Sequence, residues 1–367
     1  MDTQELLSPA TQRLRPVVSI SASQSLQASA ALSVGAISTG LTQLDAAISP
    51  LPAEQDGATE TRGIPQGQVT EVFGPPGVGK TSLALNVASN ALLAGGKVVW
   101  IDTGSPLPRL RLRDVLQKSI EASKSSQTVE ELVQNLTHIR AQSLPHILAL
   151  LLHPPSAFPP QDCRLLVVDS ASGPFASYFP NPTELKTRLA QSKNTDKVQV
   201  QWLMNRSSNV TSDLANQLMK LATAHRMAVL AINQTRTRIK GQPRATLCPV
   251  LAGGAWESSI STRLVLYRDL LTTENTIEGI RFAEVMKRSG KMLAVRLGVN
   301  IVQFVIERDG LRALDDQPSS RTTALDLDEA RDTPLQRKRK VDEIADSEDE
   351  DDSDAEYGWV DDDGFAK

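Results

Sequence analysis

Cysteine, aromatic side chains and long apolar runs are all scarce in this chain, and each scarcity closes off a class of protein. The two cysteines, Cys163 and Cys248, stand far apart with no metal-ligand spacing and no set of partners for a disulfide framework, so a reducing compartment is expected. Aromatic residues make up 4% of the 367 residues, which argues against an extended base-stacking surface. The longest apolar run, HILALLL from His146 to Leu152, is too short to cross a bilayer,. The opening MDTQELLSPA lacks the apolar stretch of a secretory signal,. No membrane partner is therefore expected.

A surplus of positive charge is missing too, but the net charge of −4 hides a segregation. Residues 341–367 carry thirteen acids against one lysine, a local charge of −12, which leaves +8 on residues 1–340. A basic body with an acidic tail suits a protein that meets a polyanion and regulates the meeting, although a purely solubilising tail would look the same.

What is present alternates. QVTEVFG, KVVWID, RLLVVDS and MAVLAIN read as buried strands, and TSLALNVASNALLA, RLRDVLQKSIEAS, LPHILALLL and TSDLANQLMKLATAHR as helices between or beside them,. TRLVLYR, RFAEVMKRS and IVQFVIERDG are period-two strands joined by polar turns,. The expected fold is α/β: a mainly parallel central sheet with flanking helices that ends in antiparallel strands. Residues 1–36 read as a flexible N-terminal segment, 37–315 as the core and 316–367 as a disordered tail,.

The sharpest local signal is GPPGVGKTS: Gly74, Pro75, Pro76, Gly77, Val78, Gly79, Lys80, Thr81 and Ser82. It matches G-x-x-x-x-G-K-[ST] between an expected strand and an expected helix. Its glycines let the backbone wrap so that successive N–H groups point at phosphate oxygens. Lys80 is expected to reach the outer phosphates and the Thr81 hydroxyl to ligate Mg²⁺ at a helix N-terminus. Asp169 follows four apolar residues in RLLVVDS, so it emerges at the end of a central strand, where it can hold Mg²⁺. ATP and Mg²⁺ are the expected cofactors.

Hydrolysis needs a further group to position the attacking water. After the strand KVVWID the turn reads Thr103-Gly104-Ser105, so Asp102 is the one carboxylate the turn offers.

The set ISTGLTQLD, GQVTEVFGPPGVGKT, WIDT, LLVVDS, AVLAINQT and AGGAWESSISTRLVLYR, in this order from Ile37 to about Leu311, resembles the RecA/Rad family of strand-exchange ATPases. Within it the likeness is to the eukaryotic recombinase paralogs, accessory proteins that help the main recombinase assemble on single-stranded DNA. The resemblance implies a RecA-type P-loop fold and a γ-phosphate sensor at Gln234. It also implies an adenine-stacking arginine in the neighbourhood of Arg109. Where the family's recombinases carry a Glu that activates water, this chain has Gly104, so weak or absent hydrolysis is implied. The family's ATP cap from an adjacent protomer is replaced by MKRSG, with Lys287 and Arg288. The residues before Ile37 are too few for the family's helical N-terminal domain, which argues against long self-filaments.

Directly after the sensor, QTRTRIKGQPR places Arg236, Arg238 and Lys240 in alternation, with Arg244 past a turn. Such a row can track a phosphate backbone and stands where the family's second DNA loop belongs; a solvated charged loop is the plainer reading. The stretch 172–212 holds Phe175, Tyr178, Phe179 and Trp202, which suit either base stacking or packing. In the tail, RKRK (Arg337–Lys340) resembles a nuclear import signal,, and Ser347 and Ser353 stand before acids, a setting for phosphorylation. The expectation is a nuclear ATP-binding recombinase paralog that works in homologous-recombination repair with single-stranded DNA, other paralogs and the main recombinase. A self-sufficient DNA-dependent RecA-type ATPase and a scaffold with a vestigial nucleotide site stay open beside it.

Overall fold

A computed structural model describes residues 35–50, 62–179, 197–238, 246–268, 280–294 and 298–314. The expected N-terminal segment lies outside these residues except for 35 and 36, as do the tail with its basic cluster and acidic run, Lys240 and Arg244.

The strands are β1 (Ala36–Ile37), β2 (Ile64–Pro65), β3 (Val69–Phe73), β4 (Lys97–Asp102), β5 (Leu136–Arg140), β6 (Cys163–Asp169) and β7 (Ala228–Asn233). They continue with β8 (Thr235–Arg238), β9 (Thr246–Pro249), β10 (Ile260–Tyr267), β11 (Arg281–Arg288), β12 (Lys291–Met292), β13 (Ile301–Glu307) and β14 (Gly310–Ala313). The helices are α1 (Thr42–Ile48), α2 (Lys80–Leu93), α3 (Arg109–Ser123), α4 (Val129–Gln134), α5 (Leu144–Leu152), α6 (Gly173–Tyr178), α7 (Lys197–His225) and α8 (Gly254–Ser259).

One large sheet runs in the order β14-β13-β11-β10-β3-β7-β6-β4-β5, with β12 on β11. From β10 to β5 every pair is parallel, and from β10 to β14 every pair is antiparallel. This is the anticipated parallel core closed by hairpins. Strands buried on both faces need apolar residues at every position, and β6 shows the division of labour. Leu165 and Val167 pack with α2, α3 and α4 on one face, while Leu166 and Val168 pack with α5 and α7 on the other. Each such fully buried aliphatic side chain contributes roughly 1.5–3 kcal/mol.

Two elements depart from the sequence pattern. The stretch 172–212 contains α6 and the first half of α7, a helix of 29 residues that begins at Lys197, well before the helix expected from Thr211. Where that expected helix begins, Thr211 and Ser212 donate their hydroxyls back to the carbonyls of Ser207 and Ser208, at 2.9 and 3.0 Å, which satisfies them inside a helix. The basic segment after Gln234 does not run on alone either: β8 returns as β9 in an antiparallel ribbon that pairs Arg236 with Cys248.

Candidate nucleotide site

The phosphate loop joins β3 to α2 at the carboxyl end of the parallel strands, where α/β sheets hold ligands. Gly79 has φ 106° as the residue before α2, and a Cβ there would stand 2.5 Å from Ile306 Cδ1. The positive φ of the turn demands glycine, and the Ile306 side chain packs close against it.

Beside the loop is a cavity of about 700 Å³ lined by Lys80, Thr81, Thr103, Gly104, Asp169 and Gln234 among others, a size suited to a nucleotide. Lys80 Nζ donates to the carbonyls of Gly74 at 2.6 Å and Pro75 at 2.9 Å, and burial lowers its affinity for its proton. The Thr81 hydroxyl donates to Asp169 Oδ2 at 2.7 Å. Burial raises the Asp169 carboxyl above the ordinary carboxylate range, against the pull of Thr81 and Lys80. A half-buried hydroxyl and carboxylate that converge in this way fit a Mg²⁺ that also takes phosphate oxygens and water. Among the described residues no group of three or more His, Cys, Asp or Glu offers a self-sufficient metal cage. Of the other loop residues, Pro75 is half-buried, Pro76 and Gly77 are exposed, and Val78 and Ser82 are buried beneath the loop.

The floor of the cavity is cross-linked. Thr103 Oγ1 donates to Ser170 O at 2.8 Å and accepts from Ser170 N at 3.0 Å. Ser172 Oγ accepts from Gln234 N at 2.8 Å, which leaves the exposed Gln234 side chain at the cavity wall, between the phosphates' place and β8.

Asp102 does not stand where the sequence put it. It is fully buried and absent from the cavity lining; its Oδ2 lies 2.5 Å from His138 Nε2, and its Oδ1 lies 3.7 Å from Arg140 Nε. Both neighbours come from β5, the adjacent strand, so the carboxylate faces them rather than the cavity. Gly104, by contrast, is exposed beside the cavity, with nothing within 4 Å of a Cβ built on it.

Arg109 is also set apart. It is exposed and lines a second pocket with Leu110, His138 and Arg140. Arg111, which the sequence reading passed over, turns inward: its Nη2 donates to Glu307 O at 3.0 Å. It shares with Arg268 the surroundings of Arg281, and both press that guanidinium's proton affinity down, after burial itself. Arg268 Nη2 donates to Gly77 O at 3.1 Å. Helical spacing did not separate the two: Arg109 stands three residues before the buried Leu112 and Arg111 four before the buried Val115,. Arg236 is exposed on β8, and Arg238 ends that strand opposite Thr246. The aromatics of 172–212 divide: Phe175 is core, while Tyr178 and Trp202 are exposed and flank Arg206, whose guanidinium carbon lies 5.7 and 5.2 Å from their rings.

The sheet order, the phosphate loop and the paired Thr81–Asp169 define a RecA-type P-loop nucleotide-binding protein. The Rad51 family profile matches residues 34–266, and the chain belongs to the Rad51 family. DNA repair protein rhp55 of Schizosaccharomyces pombe is 27% identical over 257 residues, 60% of this chain and 73% of that protein. DNA repair protein RAD51 homolog 3 of Dictyostelium discoideum is 25% identical over 224 residues, 56% of this chain and 53% of that one, so the chain spans about half of its length. Protein RecA of Streptomyces venezuelae is 41% identical over 66 residues, 18% of this chain and 15% of that protein.

Proposed function

We propose that this chain is an ATP-binding recombinase paralog of homologous-recombination repair. In this reading it switches between nucleotide states with little or no hydrolysis, and helps the main recombinase assemble on single-stranded DNA as one member of a heteromeric complex. Family membership and similarity to proteins named for DNA repair support the repair role. The observation that carries the mechanism is the pairing of an exposed, side-chain-free Gly104 with an Asp102 taken by His138. Among the described residues the cavity lining thus has groups to hold phosphates, and Asp169, placed for the metal, is its one carboxylate.

When bound, ATP supplies the γ-phosphate and Mg²⁺ neutralises the charge around it. The chain's own part is then positional. Lys80 leaves its carbonyl partners for the phosphates, Thr81 and Asp169 hold the metal, and the Gln234 amide reads the γ-position and faces β8. Arg236, with Arg238, Lys240 and Arg244, would follow the DNA backbone by charge. The RKRK cluster in the tail supports a nuclear location.

The test is ATP turnover by the purified chain with and without single-stranded DNA, beside nucleotide affinity on the same sample. Tight Mg²⁺-dependent binding with background turnover is the expected result. Brisk DNA-stimulated turnover would replace this reading with the self-sufficient ATPase.

A further inference from the structure

A second fully buried acid lies away from the nucleotide cavity. Glu71, in the middle of β3, is fully buried and takes three donors. Asn233 Nδ2 reaches its Oε1 at 2.7 Å and Trp256 Nε1 the same oxygen at 2.9 Å, while Arg263 Nε meets Oε2. Arg263 in turn forms a two-pronged pair with Glu257 at 2.7 and 2.9 Å, and Lys287 donates to Glu257 O at 2.6 Å. Networks of this kind add little net stability, because desolvation offsets the attraction, and a packed apolar cluster often does as well. What they supply is a fixed geometry, since every member is satisfied in one arrangement only.

The geometry fixed here is the base of the basic ribbon. Asn233 ends β7, directly before Gln234. Its second amide hydrogen goes to Leu251 O at 3.0 Å, and its Oδ1 accepts from Leu251 N at 3.2 Å. One residue on, Val250 N donates to Gln234 O at 2.9 Å. The outgoing limb at 233–234 and the returning limb at 250–251 are thereby bolted together, and the bolt is tied to Glu71, three residues ahead of the phosphate loop. Directly beyond the bolt, β8 and β9 pair as the ribbon that carries Arg236.

We infer that Asn233 is a positioning residue. Its clamp on Leu251, anchored at Glu71, is the fulcrum that turns a movement of Gln234 at the cavity into a movement of the paired strands β8 and β9. The clamp rests on the proposed reading that Gln234 answers the nucleotide. With both limbs fixed at one point, a shift in Gln234 has no slack to vanish into and must appear in the ribbon; with the limbs unpinned, the shift is absorbed locally.

Hydrogen–deuterium exchange of peptides from 235–249, with and without a slowly hydrolysed ATP analogue and Mg²⁺, tests this. In the parent chain, exchange should change about fivefold or more on nucleotide binding. Asn233→Ser should bind the analogue within about threefold of the parent while its ribbon no longer responds. Trp256→Phe removes a different donor from the same carboxylate and leaves the clamp whole, so its ribbon should still respond; a general loss of stability would treat the two variants alike. Should Asn233→Ser not fold, Asn233→Thr keeps more bulk in the core and likewise removes the amide N–H that reaches Leu251 O. A responding ribbon in the clamp variants, or a silent ribbon in the parent chain, would overturn the inference. Oligonucleotide binding on the same samples separates it from the DNA reading: a ribbon that answers nucleotide in a chain that binds no single-stranded DNA supports the clamp and defeats that reading.

Discussion

Asp102 and Asp169 end adjacent parallel strands, are register partners across β4 and β6, and each follows a run of apolar residues. Their fates differ. Asp169 opens onto the cavity and accepts the Thr81 hydroxyl; Asp102, one strand further out, is closed off by His138 and Arg140. A carboxylate at a strand end takes its chemistry from what the next elements bring against it. For Asp169 that is the phosphate-loop helix, and for Asp102 it is His138 in the middle of β5 and Arg140 at its end.

The comparison can be pressed at several points. The largest effect is expected at the shared neighbour of the cavity: Lys80→Ala should weaken ATP binding about 100-fold, ~2.7 kcal/mol, read by calorimetry. An unchanged affinity would favour the vestigial-site scaffold. Next, Gly104→Glu should raise ATP turnover about 30-fold, since the position is open and its backbone makes no demand for glycine. No gain would mean that more than the carboxylate is missing.

The direct contrast follows. Asp169→Asn should cut the Mg²⁺ dependence of nucleotide affinity by about tenfold. Asp102→Asn should change that dependence less than about twofold and lower stability by ~1–2 kcal/mol through the His138 contact, seen as a drop in melting temperature. Equal effects on Mg²⁺ would erase the distinction. The smallest effect concerns the ribbon: Arg236→Ala should weaken single-stranded DNA binding about threefold and reduce the salt slope by ~1, measured by fluorescence anisotropy across a salt series.

Much of the fold was legible because local rules govern it. Continuous apolar runs announced the parallel strands, and a glycine-lysine-threonine turn announced the phosphate loop, whose geometry is encoded within nine residues. The first half of α7 was not, because its polar run up to Val210 carries no sustained apolar periodicity for a sequence reading to follow. Arg109 drew attention in place of Arg111 because both stand at helical spacing from buried residues of α3, and only the contact with Glu307, far off in the chain, separates them. His138 gave no signal beyond being a histidine in a strand.

The sequence by itself determined the alternation of strands and helices, the phosphate loop, the second acid at Asp169 and the missing carboxylate at Gly104. Each rests on backbone conformation or on periodicity within a few residues. The tertiary structure alone decided that Asp102 belongs to His138, that Arg111 faces inward and that Asn233 ties the ribbon to Glu71. Those outcomes depend on burial and on electrostatic partners far off in the chain: 162 residues from Glu71 to Asn233, 185 to Trp256 and 192 to Arg263. A buried charge must find its partners across the folded sheet, and no local pattern records which ones it will meet.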